Sequence, residues 1–208
     1  MHKPINHISG RALLIPRDDV DTDAIYPARF LNTIKRYGLG GYLFADWRES
    51  GREELAEFAG QEKVQASVLV AGRNFGCGSS REHAVWALAD CGIGAVVALS
   101  FGDIFRSNCT KNGIVTAVVS AADYRVITDA MSFPENREIA VDLTQRLVKL
   151  PDGARLPFAI DAGDAQQLLS GKDGIAATLE HVHLLEAYEK KIAKTMPWLG
   201  PWKETQTC

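Results

Sequence analysis

A chain of 208 residues with 46% apolar and 24% charged residues can bury one ordinary core, which excludes an intrinsically disordered protein. Its formal net charge of −3 supplies no basic field, so neither nucleic acid nor an anionic membrane is an expected partner and any anion binding must be local. Met1 to Arg11 hold no apolar core of signal-peptide length, and no stretch approaches the roughly 20 apolar residues of a membrane span, which makes the cytoplasm the expected compartment.

Ala12 to Ile15 predicts a short strand, and the acidic segment Arg17 to Asp23 predicts a loop. The charged stretch Arg48 to Lys63 has the Glu, Ala and Leu content of an exposed, partly helical segment. Ser67 to Ala71 reads as a buried strand, followed by a glycine-rich turn and a helix from about Ser80 to Asp90 that Gly92 stops. That helix is apolar nearly all round at Ala84 to Ala89, which predicts full burial. Ala95 to Leu99 is a second strand, Asp103 to Lys111 a second helix closed by Asn112 and Gly113, and Ile114 to Val119 a third strand. Strand, helix and strand at this spacing predict a parallel α/β unit. Ile139 to Leu143 and Leu147 to Leu150 predict a hairpin, Phe158 and Ile160 a further short strand, and residues 162–170 and 174–194 helices punctuated by Gly171 and Gly174. With no repeat, linker or low-complexity tract, residues 1–208 are expected to form one domain with a helical C-terminal extension from about 162 to 208. The tail Pro197 to Cys208 has no readable period.

Cys77, Cys91, Cys109 and Cys208 are widely spaced and lack a CxxC pair, so zinc and thioredoxin-like sites are disfavoured and free thiols in a reducing compartment are expected. The chemistry concentrates in residues 72–84, GRNFGCGSSREHA, between a buried strand and a buried helix. Gly76 and Gly78 allow a tight turn, and Ser79 with Glu82 has the spacing of a capping box. A helix N-terminus there would present backbone N–H groups to an anion, and Arg81 adds a planar fork suited to a carboxylate. The residues alone leave two readings open: an anion site, or a plain capped turn whose Arg81 pairs with a surface acid. Nucleotide binding is disfavoured, because no GK[ST] follows and the third glycine of a dinucleotide fingerprint is absent. Asp18, Asp19, Asp21 and Asp23 read as a solvated acidic turn and not as a calcium loop, since the required glycine and terminal glutamate are missing.

GCGSSREHA, together with DDVDTDAIYPARFL at residues 18–31, resembles the small subunits of the isopropylmalate dehydratase family, relatives of the swivelling fourth domain of aconitases. The resemblance extends through Tyr42 to Arg48, SFGDIFRSNCTKNG at residues 100–113 and LEHVHLLEAYE at residues 179–189, so it spans nearly the whole chain in order. It implies a swivelling β/β/α domain of the aconitase type: a parallel sheet core flanked by helices, with a small C-terminal hairpin and helical region. It also implies a hydro-lyase subunit interconverting 2-isopropylmalate and 3-isopropylmalate in leucine biosynthesis, as part of a heterodimer with a large iron–sulfur subunit.

By the same resemblance, Ser79 matches the alkoxide base, and Ser80 and Arg81 match groups that bind a substrate carboxylate. Thr22 and Asp23 match a segment lining the same site, Arg36 a second carboxylate clamp, and Phe30, Leu31, Asn32 and Thr33 the substrate-recognition loop. No metal or cofactor is expected on this chain; the 4Fe-4S cluster belongs to the large subunit, and the small-molecule partner is a dicarboxylate. His83 is expected as an ordinary helix residue and Cys77 as a small loop residue. Three departures from the family pattern touch the substrate and not the SSR chemistry: Asn32 and Thr33 in the recognition loop, a shorter segment after Trp47, and Ile114, Val115 and Thr116 after Gly113. They leave open a paralogue for another hydroxy-diacid of methylmalate, dimethylmalate or citraconate type, and a non-catalytic binding domain on the same fold.

Overall fold

The computed structural model describes residues 3–32, 35–58, 61, 65–79, 81–133, 137–172, 174–179 and 181–199. The chain divides into two units, residues 1–171 and 172–208. The first unit is built on a seven-stranded sheet in the order β4-β3-β2-β1-β5-β6-β7.

β1 (His7–Ile15) is the strand on which the two halves of the sheet meet. Its C-terminal half, Ala12 to Ile15, pairs in parallel with β2 (Val68–Ala71), whereas His7 to Arg11 pair antiparallel with β5 (Glu138–Asp142). The strand is therefore longer than the apolar run Ala12 to Ile15 predicts, because His7 to Arg11 is polar and only half-buried, and cross-strand hydrogen bonds hold it. β3 (Ala95–Ala98) and β4 (Val115–Val118) extend the parallel half beyond β2. β6 (Leu147–Lys149) and β7 (Arg155–Pro157) extend the antiparallel half, so the expected hairpin continues the same sheet. The strand expected around Phe158 and Ile160 lies upstream, at Arg155 to Pro157; Ala159 instead makes an isolated bridge with Val118.

The continuous burial of β2 and β3 follows from helices packed on both faces. Leu69, Ala71, Val96 and Ala98 face a cluster containing Val85 and Leu88 of α3 (Glu82–Asp90) and Phe105 and Cys109 of α4 (Asp103–Lys111). Val68, Val70, Ala95 and Val97 face the other cluster, which includes Ile127 and Met131 of α5 (Ala121–Met131) and Leu168 of α6 (Ala162–Ser170). Full burial of α3 is not observed: Ala84, Val85, Ala87 and Leu88 are buried, while Trp86 is half-buried and Ala89 is exposed. Helix α5 lies outside the sequence expectations, although Ser120 caps it by accepting from the Asp123 N–H at 3.1 Å, a Ser-x-x-Asp pattern legible in the chain.

Two short helices precede β2. α1 (Thr22–Ile25) replaces the end of the expected loop, and α2 (Ala45–Glu49) with a 3-10 segment (Glu53–Phe58) forms the described part of the charged stretch. The second unit comprises α7 (Gly174–Leu179), α8 (Val182–Thr195) and a 3-10 turn at Pro197 to Leu199; residues 200–208, including Cys208, lie outside the described residues. Among the described residues no helix is long and apolar enough to cross a membrane.

Thr116, one of the family departures, is 1% exposed on β4, and its hydroxyl has no hydrogen-bond partner among the described residues. A buried, unpaired hydroxyl costs free energy that an isosteric methyl does not. Thr116→Val is expected to stabilise the chain by about 1 kcal/mol, measured as a higher urea midpoint at unchanged slope.

Candidate functional site

The candidate site lies past the C-terminal ends of β1 and β2, where open α/β sheets place their ligands. Beyond the last strand pairs the two chains stay bonded as loops. Gly72 N–H donates to the Arg17 carbonyl (3.1 Å), Asp19 N–H to that of Arg73 (2.8 Å), Gly76 N–H to that of Val20 (2.7 Å) and Thr22 N–H to that of Cys77 (3.1 Å). The Thr22 hydroxyl, in a residue only 2% exposed, donates to the carbonyl of Ser79 at 2.9 Å. The loop after β3 closes the arrangement from the other side: the Phe75 N–H donates to the Ser100 carbonyl (3.0 Å) and the Gly102 N–H to that of Phe75 (3.0 Å).

Gly76 shows why this turn takes glycine. Its φ is +73°, and a Cβ there would strike the ring of Phe105, which stands edge-on to Phe75 at 5.4 Å between centroids.

The four aspartates of the first loop are exposed, as expected of a solvated turn, and each in addition has a protein donor. Asp18 accepts from the Arg73 N–H (2.6 Å), Asp19 from the side-chain amide of Asn74 (2.7 Å) and Asp21 from the Ala24 N–H (2.7 Å). The bond to Asp21 makes it the N-cap of α1, a role its place before Thr22, Asp23, Ala24 and Ile25 signals. Asp23 forms an ion pair with Arg81.

The capping box expected from Ser79 and Glu82 is not formed. Helix α3 starts at Glu82 with Arg81 at the N-cap position and without a side-chain cap bond, and the Glu82 carboxylate accepts from the side-chain amide of Asn112 (3.1 Å). Gly76 and Gly78 turn the chain through positive φ just before Ser79, whose carbonyl accepts from the Thr22 hydroxyl and whose residue is exposed. Ser80 lies outside the described residues. Thr22, Asp23, Ser79 and Arg81 are thus brought into one group by a hydrogen bond and an ion pair, and the Arg81 side chain is 16% exposed.

The other predicted residues stand on a neighbouring aromatic surface. Phe30 stacks on Tyr42 with centroids 4.3 Å apart, and both meet Tyr26 edge-on at 6.2 Å. Tyr26 stacks on His83 at 5.7 Å, and His83 lies against Trp86 at 4.8 Å. His83 is thereby an aromatic packing residue of α3, as expected for an ordinary helix position. Burial, with a smaller contribution from Tyr42, raises the Tyr26 pKa, and the Tyr26 hydroxyl donates to the Phe30 carbonyl at 3.1 Å. Arg36 lies over the Trp86 ring at 5.0 Å. Phe30 and Asn32 line a cavity of about 450 Å³ with Lys35, Tyr37, Leu39 and Tyr42. Leu31 and Asn32 are exposed, and Thr33 lies outside the described residues. Tyr26, Tyr42 and Trp86 carry no sequence signal for this role, since contacts such as Tyr26 with Tyr42, 16 positions apart, and Tyr26 with His83, 57 positions apart, arise only on folding.

The family model for the aconitase C-terminal domain matches residues 3–122. A 3-isopropylmalate dehydratase small subunit from Rubrobacter xylanophilus is 44% identical over 195 residues, covering 94% of this chain and 98% of that protein. The chain belongs to the 3-isopropylmalate dehydratase small-subunit family of the aconitase superfamily. A second small subunit of that name, from Methylobacterium radiotolerans, is 46% identical and covers 90% of this chain and 95% of itself. The crystal structure of a 3-isopropylmalate dehydratase from Methanocaldococcus jannaschii superposes with a TM-score of 0.64 at 31% identity, covering 88% of this chain and 99% of that one. The expected fold class of this family, a mixed α/β domain with a sheet flanked by helices, is the one observed.

Cys77 sits inside this loop pairing, bridged to Asp21 and half-buried. Burial first, and then the charges of Asp21 and Asp19, push its thiol above the ordinary range, which keeps it protonated and slow to react at neutral pH. Burial alone pushes Cys109 much further. Alkylation by iodoacetamide at pH 7.5, read residue by residue by mass spectrometry, is expected to be slow at Cys77 and undetectable at Cys109 until unfolding. Asp21→Asn keeps the cap acceptor but removes the charge, and should accelerate the Cys77 reaction.

Proposed function

We propose that this chain is the small subunit of a 3-isopropylmalate dehydratase, a hydro-lyase that interconverts 2-isopropylmalate and 3-isopropylmalate by removal and re-addition of water in leucine biosynthesis. The observation that carries this reading is the joining of Thr22, Asp23, Ser79 and Arg81 into one group with Ser79 and Asp23 exposed, in a chain 44% identical along nearly its whole length to a protein of that name. The whole chain acts as one swivel domain with its C-terminal helices as an extension, and it works in the cytoplasm.

Ser79 acts as the base, taking the proton from the carbon next to a substrate carboxylate and holding it on its hydroxyl oxygen until rehydration returns it. A serine is a poor base unless positive charge stabilises its oxyanion, and Arg81 with the N-terminal end of α3 supplies that charge. In the uncombined chain Arg81 is paired with the exposed Asp23, one of the two arrangements the sequence leaves open. The pairing uses one guanidinium nitrogen and leaves the other donors of the fork for a substrate carboxylate. Ser80 donates a hydrogen bond to the same carboxylate, Arg36 holds the second, and the loop Phe30, Leu31, Asn32 and Thr33 reads the alkyl group.

Among the described residues the donor set does not fit an iron–sulfur cluster. Cys91 and Cys109 are buried thiols, Cys77 is held in the loop pairing, and among the described residues no three His, Cys, Asp or Glu residues assemble to hold a metal. The Lewis-acid assistance for loss of hydroxide belongs to a 4Fe-4S cluster on the large subunit. An exposed Ser79 suits a site that is closed by a partner.

Ser79→Ala is expected to lower turnover by about 10²- to 10⁴-fold in the two-subunit enzyme. Melting temperature and partner binding should be unchanged, because the bond that ties residue 79 to Thr22 uses its backbone carbonyl. Near-normal turnover would remove Ser79 as the base. Hydration assays with isopropyl-, methyl- and dimethylmaleate, run with and without the large subunit, test the rest: full activity from this chain alone would sink the two-subunit reading, and preference for a smaller maleate would replace the substrate.

A further inference from the structure

Arg36 is an exposed residue next to a 72% exposed Tyr37, and a long cationic side chain in such a place ordinarily samples many rotamers. Here its guanidinium lies 5.0 Å above the indole of Trp86. That indole is itself fixed from two directions. Its Nε1–H donates to the side-chain carbonyl of Asn112 at 3.1 Å, and His83, stacked in turn on Tyr26, lies against its ring at 4.8 Å.

Asn112 is a firm anchor. It is the C-cap of α4, and its side-chain amide donates both to Glu82 at the start of α3 (3.1 Å) and to the Asn108 carbonyl (2.9 Å). The start of α3, the end of α4 and the Arg36 segment are therefore tied together through one half-buried tryptophan. Five residues before Trp86 stands Arg81, the N-cap of α3, whose ion pair with Asp23 links the start of the platform helix to the Ser79 group.

We propose that Trp86 is a positioning residue: its indole face pre-orders Arg36 for binding the second carboxylate of the substrate. This rests on the reading of Arg36 as a carboxylate clamp. An indole holds a guanidinium by attraction between the cation and the ring's negative face, which is worth most for tryptophan and less for phenylalanine. Ordering the clamp before substrate arrives lowers the entropy cost of binding. The second carboxylate is carried by the carbon that loses hydroxide and not by the one that loses its proton, so its own charge changes little between ground and transition states, and loss of the platform raises KM and leaves kcat.

The test uses the two-subunit enzyme with Trp86→Leu, Trp86→Phe, Arg36→Ala and the Arg36→Ala/Trp86→Leu double variant. Expected are a rise in KM of about two- to fivefold for Trp86→Leu at near-constant kcat, partial recovery in Trp86→Phe, and no further rise on adding Trp86→Leu to Arg36→Ala. An unchanged KM in Trp86→Leu beside a raised KM in Arg36→Ala overturns the positioning role and leaves the clamp. An unchanged KM in Arg36→Ala overturns the clamp itself. A fall in kcat equal in both backgrounds marks Trp86 as merely structural and overturns the proposal; should Trp86→Leu not fold, a Trp86→Phe variant with wild-type KM does the same.

Discussion

Everything at the candidate site depends on the parallel pairing of β1 with β2 being carried past the ends of the strands. From Arg17 with Gly72 to Thr22 with Ser79, backbone and side-chain hydrogen bonds continue the register that Ile15 and Ala71 begin. Buried backbone groups in a loop must find partners, and here each loop is the other's partner. The result is that two segments separated by more than 50 residues behave as one rigid rim. Gly72 serves that close approach, since a Cβ there would strike the Arg17 carbonyl and the Asp18 carboxylate.

A rim of this kind can hold reactive side chains at its edge without burying them. Thr22 is buried and spends its hydroxyl on the Ser79 carbonyl, which fixes the backbone while leaving the serine side chain exposed. Arg81 is mostly enclosed and paired, so its cost of desolvation is offset by Asp23. The aspartates of the first loop spend their charge on named donors, and the loop is acidic without being a cation site. Beside this group runs the aromatic stack from Phe30 to Trp86, through Tyr42, Tyr26 and His83.

Much of the parallel half of the sheet was legible from local pattern. The limits of α4 at Asp103 and Lys111 follow from its apolar spacing and the Asn112–Gly113 stop, and the runs Val68 to Ala71 and Ala95 to Ala98 read as strands because both of their faces are buried. The misread elements share a cause. β1 extends through polar residues because β5 supplies hydrogen bonds from a position 130 residues away, and α1 forms because Asp21 and Thr22 are held by the second loop. The Ser79–Glu82 spacing matched a capping box, but backbone bonds to Val20 and Thr22 set the turn and move the helix start.

The amino-acid sequence by itself determined the fold class, the family and the identity of the candidate residues, because hydrophobic period, turn glycines and the ordered motifs around GCGSSREHA are local properties of the chain. Only the tertiary structure decided that Asp23 neutralises Arg81, that Ser79 is tied through its carbonyl and not as a cap, and that Arg36 rests on Trp86. Each of those is a contact between residues 50 or more positions apart, 57 for Thr22 and Ser79 and 58 for Asp23 and Arg81. No periodicity in the chain encodes such a contact; it exists only once burial of the sheet has brought the loops to one edge.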